Sequence, residues 1–182
     1  MGPDEQVIIR RYRRDDAGPL CDAAVESTAQ IFPWMPWCRA TYSLDESNAW
    51  IDHCDAAWKE GTEYNFAIVD RTDRMLGGCG LNQIRIEHRV ANLGYWVRTS
   101  ATRKGVATAA VRKLAQFAFR ETNFARLEIV VALGNVASHR VATKVGAVRE
   151  GVAHGRLYAH GSSHDAVVYA LLRSRNDYRS DA

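Results

Sequence analysis

The chain has 182 residues, of which 47% are hydrophobic and 25% charged, and its formal net charge is +3. These values are ordinary for one globular domain, which we expect across residues 1–182 with a core at about 7–172. The mild charge argues against a nucleic-acid-binding face. No window approaches the about 18 apolar residues of a membrane span, and the N-terminus has no apolar signal region, which predicts a cytoplasmic protein.

The first half of the chain predicts a strand, two helices and a three-stranded meander. Ser43 and Glu46 form a capping box for the second helix, and Gly61 ends it. The glycines of the LGGCG stretch indicate a bulge or a close backbone approach. The predicted elements are strand 7–12, helix 15–31, a proline-containing connection 31–42, helix 44–58, and strands 63–70, 75–86 and 91–98.

The second half predicts a β-α-β unit, a short helix and a closing hairpin. Asn135 is a candidate N-cap for the short helix, and Gly146 is typical of the residue after a helix end. The predicted elements are helix 105–121, strand 125–133, a helix to Val145, and strands 147–158 and 164–172 joined by AHGSSH. A β-α-β crossover makes its two strands parallel. We therefore predict a mixed α/β (α+β) domain.

Residues 102–111, TRKGVATAAV, open a helix with two basic residues and a glycine. The positive end of a helix dipole favours anions, so Arg103 and Lys104 at this position indicate that the anion is a ligand. Gly105 would let a phosphate approach the backbone, and Ala107 and Thr108 keep the first turn small. A glycine near a helix start is also common without any ligand, so both interpretations stay open for this stretch alone.

Ligands in α/β sheets bind at the carboxyl ends of strands. Here those ends are Val97–Arg98 and Leu133–Asn135, and the helix of residues 105–121 begins at the same edge. The Asn135–Ser138 turn adds polar groups beside the predicted anion site.

The run LGYWVRTSATRKGVATAAV, followed by NVASHRVATKVGAVREG, resembles the GNAT superfamily of N-acetyltransferases. The phosphate loop of that family reads Gln/Arg-x-x-Gly-x-Gly/Ala. Gly105 and Ala107 fit this pattern, and Thr102 departs from it. FPWMPW, YSLDES, GTEYNFAIVD and LGGCGLNQI look like the branch that acetylates the N-termini of ribosomal proteins, and the resemblance covers about residues 7–172.

The resemblance implies the GNAT fold, with a mostly antiparallel mixed sheet, helices on both faces and acetyl-CoA between strands 93–98 and 126–131. It implies that pantetheine amides pair with the backbone near Trp96, Val97 and Arg98. It also implies a pyrophosphate on the N–H groups of Arg103, Lys104, Gly105, Val106, Ala107 and Thr108. Asn135 would bond the pantetheine arm, and Ser138 would lie near the thioester sulfur.

Direct attack of an amine on the thioester needs a neutral amine and a stabilised leaving thiolate. Ser138 is the candidate for the second role, with a local helix-capping role as the alternative. Family members often carry a glutamate before the GYW strand, where this chain has Asn92. An amide cannot take the proton. The remaining candidates for the base are Glu63, Glu87 and Glu128, although an N-terminal α-amine could need none.

The FPWMPW segment joins the first two helices, and its large side chains must form either a plug or a pocket wall. We expect Phe32 and Trp34 to pack down, and Met35 and Trp37 to line the acceptor cleft. The predicted substrate-binding residues are Trp34, Met35, Trp37 and Asn82. The predicted acceptor is a protein N-terminus. The alternative acceptor is a polyamine or an aminoglycoside. The alternative function is that of a non-catalytic acyl-CoA-binding module.

The four cysteines contain no CxxC pair, which argues against a structural zinc site and for reduced thiols. His154, His160 and His164 cluster in the last predicted hairpin, where a solvated rim is the favoured interpretation. We therefore predict no metal, no nucleic-acid partner and no membrane partner, and a homodimer stays an open alternative.

Overall fold

The computed structural model describes residues 3–174, which contain seven strands and five α-helices. The strands are β1 Val7–Arg10, β2 Tyr64–Asp70, β3 Met75–Arg85, β4 Val90–Val97, β5 Arg126–Ala132, β6 Val148–Ala159 and β7 Ser162–Leu172. The helices are α1 Pro3–Gln6, α2 Ala17–Ile31, α3 Leu44–Glu60, α4 Val106–Glu121 and α5 Val136–Lys144.

All seven strands belong to one sheet in the order β1-β2-β3-β4-β5-β7-β6. Every neighbouring pair is antiparallel except β4 and β5, which are parallel. The parallel pair is the one joined by α4, which confirms the predicted β-α-β unit. None of the helices in residues 3–174 is long and apolar enough to cross a membrane.

Helices cover both faces of the sheet, as predicted. On one face, Val106, Ala110 and Leu114 of α4 and Ala142 of α5 pack on apolar side chains of the central strands. On the other face, α2 and α3 pack on β2 and β3 through Leu20, Ala23, Ile51, Ala67 and Val69. The apolar positions of α4 recur at helical spacing, and their burial is the main source of this packing energy.

The predicted helix boundaries are confirmed at several caps. Ser43 and Glu46 exchange both hydrogen bonds of the capping box, and Gly61 ends α3 with a φ of 69°. Asn135 caps α5 by accepting from the N–H of Ser138, and Gly146 follows that helix with a φ of 82°. Asparagine suits the cap because its side-chain oxygen accepts a main-chain N–H, and glycine suits the helix ends because it has no Cβ that disfavours a positive φ.

The glycines of β3 serve the two predicted purposes. The register against β2 shifts at Leu76, which makes a bulge. A Cβ on Gly77 would lie 2.2 Å from the main-chain oxygen of Trp96, so only glycine fits there.

Other boundaries differ from the predictions. Helix α2 begins two residues later than expected because Arg14–Asp16 forms a 3-10 turn. The predicted six-residue connection of the last hairpin is only His160-Gly161, whose φ values are 51° and 78°. Two central residues with positive φ are characteristic of the tight type I′ turn. The hairpin is therefore longer than the sequence pattern indicated.

Candidate active site

A wedge-shaped gap opens between β4 and β5. The two strands pair only at Val90 with Arg126, Ala91 with Leu127 and Asn92 with Glu128. Beyond these pairs, β4 continues to Val97 and β5 to Ala132 without pairing to each other. The gap therefore lies in the centre of the sheet, at the carboxyl ends of two parallel strands.

The main chain of β4 supplies polar groups to this gap. The N–H of Arg98 donates to the main-chain oxygen of Leu76 at 2.8 Å, so Arg98 faces β3. Peptide groups alternate in direction along an antiparallel strand. The peptide groups of Tyr95 and Val97 therefore point away from β3 and toward the gap. Of the three predicted β4 residues, Val97 is the one whose main chain faces it.

The start of α4 opens at the top of the gap. Gly105 is the N-cap with a φ of 79° and supplies no capping side chain, and the first turn contains no acid. The first helical hydrogen bond inside α4 is donated by Ala109 to Gly105. The N–H groups of Val106, Ala107 and Thr108 therefore precede the helical ladder and are available to an anion.

The two basic residues of this loop differ in position. Arg103 has a φ of 60° and an exposed side chain. Lys104 folds back, and its Nζ donates to the main-chain oxygen of Ser100 at 2.9 Å. Thr102, which departs from the family pattern, donates its hydroxyl to the main-chain oxygen of Thr99 at 2.8 Å. Its side chain thus closes the 3-10 turn Thr99–Ala101 that precedes the loop.

Helix α2 anchors this turn from the opposite side. The guanidinium of Arg98 forms an ion pair with Glu26 and also donates to the main-chain oxygen of Met75. The second carboxylate oxygen of Glu26 accepts from the N–H of Ser100 at 2.7 Å. The Arg98 hydrogen bond is the main reason that the pKa of Glu26 falls to about 2. Arg98 was predicted to bind the cofactor through its main chain, and these contacts make it an anchor of the loop.

Two hydroxyl groups meet across the gap. The Tyr95 hydroxyl of β4 lies 2.7 Å from Ser138 Oγ of α5 and 3.3 Å from the main-chain oxygen of Ser138. Burial raises the pKa of Tyr95 to about 12, so its phenol stays protonated at neutral pH. Ser138 is the N3 residue of α5, and its N–H donates to Asn135 Oδ1 at 3.1 Å. The predicted residues Asn135 and Ser138 are therefore brought together at the gap.

Tyr95 is a site residue that the sequence analysis did not assign. It lies inside the GYW motif, but nothing in a single sequence indicates that its hydroxyl reaches a helix 43 residues later. The adjacent His139 is held by different partners, since its ring nitrogens contact the Tyr169 hydroxyl at 2.9 Å and the main-chain oxygen of Leu133 at 3.1 Å.

The other face of β3 and β4 has a polar floor. Gly80 and Gly94 pair with each other across the two strands and carry no side chains. Next to them Asn92 Nδ2 donates to Asn82 Oδ1 at 2.8 Å, which places the predicted residue Asn82 beside the point where β4 and β5 separate. The floor is neutral at Asn92, the position for which the resemblance implied a glutamate.

The FPWMPW segment borders this floor, but its side chains do not divide as predicted. Met35 packs against the small cluster of Ala24, Ile31 and Cys38, so it is part of the plug. Trp34 and Phe32 are each 39% exposed, which contradicts their predicted plug role. The short chain between the prolines turns on itself, and the N–H groups of Trp34 and Met35 both donate to the main-chain oxygen of Ile31.

Trp37 lies between two aromatic rings and stays partly exposed, and its role as a wall of the acceptor cleft stays a prediction. Its ring lies 5.5 Å from the Trp96 ring and 5.5 Å from the Tyr42 ring, both edge-on, and 36% of the residue is exposed. Trp34 reaches the β5–α5 turn, where a Cβ on Gly134 would lie 3.3 Å from its ring. Trp37 therefore contacts β4, and Trp34 reaches the β5–α5 turn. The two predicted residues lie on either side of the gap.

The polar floor and the FPWMPW segment form a cleft, and the β6–β7 hairpin closes its other side. The His160 ring lies 4.6 Å from the Phe32 ring, and its Nε2 is 3.0 Å from the main-chain oxygen of Phe32. Arg156 of β6 reaches Gln83 of β3, although three strands separate β6 from β3 in the sheet. The hairpin therefore bends over the face of β4 and β5, and Gly155, with a φ of 60°, lies where its register shifts.

The three candidate bases have different surroundings. Glu128 is bound by Arg85 at 2.9 Å and by Arg126 at 3.2 Å. Glu87 is exposed in a 3-10 turn between β3 and β4, at the end of the sheet away from the gap. Glu63 accepts from Asn65 at 2.7 Å and lies 3.1 Å from His53 Nε2. None of the three occupies the position of Asn92.

The histidines of the hairpin bind groups within the protein. His154 pairs with Asp165 at 2.8 Å, and His164 lies 3.0 Å from the Ser162 hydroxyl. Among the described residues, no group of three or more His, Cys, Asp or Glu side chains could hold a metal ion.

The sequence and the fold match a known family. The family model of the acetyltransferase (GNAT) domain matches residues 6–148. The chain belongs to the GNAT family of acetyltransferases. It is 30% identical over 176 residues to YdaF of Bacillus subtilis, provisionally named a ribosomal N-acetyltransferase, and the match covers 93% of each chain.

Solved structures agree with this GNAT assignment. A Vibrio cholerae chain, provisionally named a ribosomal-protein-serine acetyltransferase, has a TM-score of 0.80 and 26% identity, with 94% of this chain and 99% of that chain covered. RimL, a ribosomal alpha-N-protein acetyltransferase in complex with coenzyme A, has a TM-score of 0.84 over 92% of this chain and 94% of that chain. Its identity is 21%, so it supports the fold alone. The family match and the YdaF relative make this chain an acetyl-CoA-dependent N-acetyltransferase.

Proposed function

We propose that this GNAT enzyme acetylates the N-terminal α-amine of a protein, and that the protein is ribosomal. The names of YdaF and of the Vibrio cholerae chain suggest this acceptor class. The observation that carries the proposal is the gap between β4 and β5, which connects the open start of α4 on one face with the aromatic and polar cleft on the other.

Acetyl-CoA fits the residues around the gap. Its pyrophosphate would lie on the N–H groups of Val106, Ala107 and Thr108, beside the exposed Arg103, because this helix start has no acid and no capping side chain. Its pantetheine amides would pair with the main chain of Tyr95 and Val97. Asn135 would contribute its amide nitrogen, since its oxygen already caps α5.

The reaction in this proposal is direct attack of the amine nitrogen on the thioester carbonyl carbon. A C–N bond forms, the C–S bond breaks, and the electron pair goes to sulfur. Ser138 would donate a hydrogen bond to the sulfur as its charge develops, which lowers the barrier because the donor is already oriented. Its N–H donates to Asn135, and its Oγ lies 2.7 Å from the Tyr95 hydroxyl.

The neutral floor supports an α-amine as the acceptor. Asn92 cannot accept the proton, and the carboxylate of Glu128 forms ion pairs with two arginines. An N-terminal amine has a pKa of about 7.7–8.0 and is partly neutral at physiological pH, whereas a lysine amine has a pKa of about 10.4 and is almost fully protonated. An enzyme that carries an amide instead of a carboxylate at the position of Asn92 would therefore favour the α-amine. A cytoplasmic location and the open alternative of a homodimer stay predictions.

Acceptor profiling tests the proposal. The purified enzyme is incubated with acetyl-CoA and three acceptor sets, and free thiol release is followed. The sets are peptides beginning with Ser or Ala, the same peptides with a blocked N-terminus and a free lysine, and a panel of polyamines and aminoglycosides. We expect turnover with the first set only. Turnover with the small amines and none with the peptides would replace the protein acceptor by a small molecule.

A substitution tests the role of Ser138. Ser138→Ala should lower kcat about tenfold or more and leave the acetyl-CoA Kd nearly unchanged, because the hydrogen bond strengthens only in the transition state. An unchanged kcat would reduce Ser138 to a residue of the α5 cap.

A further inference from the structure

The Ser138 hydroxyl differs from three other hydroxyls on or next to helices. Ser27, Thr122 and Thr143 each donate to the main-chain oxygen four residues earlier, at 2.6, 2.5 and 3.0 Å. Such a back-bond is common for serine and threonine inside a helix. Ser138 instead meets Tyr95 of β4 at 2.7 Å. A contact with another element therefore sets the direction of its side chain.

The hydrogen-bond partners of the Tyr95 and Ser138 hydroxyls indicate which of the two oxygens can donate to the other. The Tyr95 hydroxyl has two acceptors within reach, and both belong to Ser138. Ser138 Oγ can donate either to Tyr95 or into the gap. If the phenol donates to Ser138 Oγ, the serine proton is left for a group in the gap. Donation into a hydroxyl also strengthens the bond that this hydroxyl makes in turn.

We propose that Tyr95 is a positioning residue for Ser138, which directs the serine proton toward the sulfur that leaves during acetyl transfer. This inference rests on the proposed function and adds to it a residue 43 positions away in the chain. Both hydroxyls keep their protons throughout. The amine gives its proton to water, and the thiolate, after accepting the hydrogen bond of Ser138, takes a proton from water.

A double-mutant cycle of Tyr95→Phe and Ser138→Ala tests this role. Phenylalanine keeps the ring and removes only the hydroxyl. We expect Tyr95→Phe to lower kcat about fivefold and to change the acetyl-CoA Kd, measured by calorimetry, by less than about twofold. In the Ser138→Ala background the same change should alter kcat by less than about 1.5-fold, because its target is gone.

Tyr169→Phe is the matched control, since it removes a tyrosine hydroxyl that binds the neighbouring His139 on the same helix. In the double variant, the fold reductions of kcat caused by Tyr169→Phe and by Ser138→Ala should multiply. The inference is overturned if Tyr95→Phe keeps the kcat of the wild type while Ser138→Ala is impaired, and the proposed role of Ser138 then survives. It is also overturned if Tyr95→Phe lowers kcat equally in both backgrounds, as a direct donor or a mere packing residue would. If Ser138→Ala keeps the kcat of the wild type, both this inference and the proposed role of Ser138 are overturned.

Discussion

Glu26 lies on α2, outside the wedge, yet the structure predicts that it controls acetyl-CoA binding. Its carboxylate holds Arg98 and the N–H of Ser100, immediately before the loop of residues 102–105. Glu26→Gln removes the charge and keeps the shape. The loop should then lose its anchor, so the KM for acetyl-CoA should rise about threefold or more while kcat stays within about twofold.

The cost in stability follows from the same contacts. The pKa of Glu26 falls from its usual 4.5 to about 2, first because of the Arg98 hydrogen bond. The full difference corresponds to about 3 kcal/mol. Nearly a third of the Glu26 side chain is exposed, at 31%, so water screens the pair and we expect about 1–2 kcal/mol. For a domain of this size, the melting temperature should fall by roughly 3–6 °C.

The pH dependence of this loss has a definite sign. The folded-state pKa of Glu26 is depressed, so its contribution is complete above about pH 4.5 and disappears as the pH falls toward about 2. Urea unfolding of wild type and Glu26→Gln should therefore differ at neutral pH and converge in acid. Asp22→Asn, an exposed carboxylate on the same helix, is the control. A loss equal to that of Asp22→Asn, or one that persists unchanged at about pH 3, would refute the reasoning.

Three further predictions concern the cofactor, the acceptor and the proton. Gly105→Glu should weaken acetyl-CoA binding in calorimetry about tenfold or more, whereas Gly105→Ala, with the same backbone strain and no charge, should weaken it far less; equal losses would contradict the phosphate site. Trp37→Ala should raise the peptide KM more than the acetyl-CoA KM, and the reverse order would place Trp37 outside the acceptor cleft. The kcat/KM of a peptide should rise with pH up to the pKa of its own α-amine, about 7.7–8.0. If peptides whose α-amines differ in pKa all give the same pH profile of kcat/KM, the titrating group is a base of the protein.

Much of the fold and part of the site were predictable because their signals act over a few residues. The capping box of Ser43 and Glu46, the stop at Gly61 and the cap at Asn135 each depend on neighbours within one turn. The same holds for Gly105, whose positive φ and missing side chain expose the start of α4. The alternation of strand and helix around this glycine was enough to predict the parallel pair.

The acceptor side depended on packing that no local pattern specifies. Met35 and Trp34 are close in sequence, and both are large and apolar, yet the first is packed and the second is more than a third exposed. The bend of the β6–β7 hairpin is likewise fixed by contacts of Phe32 with His160 and of Arg156 with Gln83. Those contacts join strands and loops that are distant in the chain.

The sequence by itself determined the order of elements, their caps and the open helix start, since these follow from backbone geometry and nearest neighbours. Only the tertiary structure decided that Tyr95 reaches Ser138 and that Glu26 holds Arg98, across 43 and 72 residues respectively. A hydrogen bond needs its two atoms within about 3 Å and aligned. Strand register and helix packing bring such distant groups together, and a single sequence does not encode that distance in any local pattern.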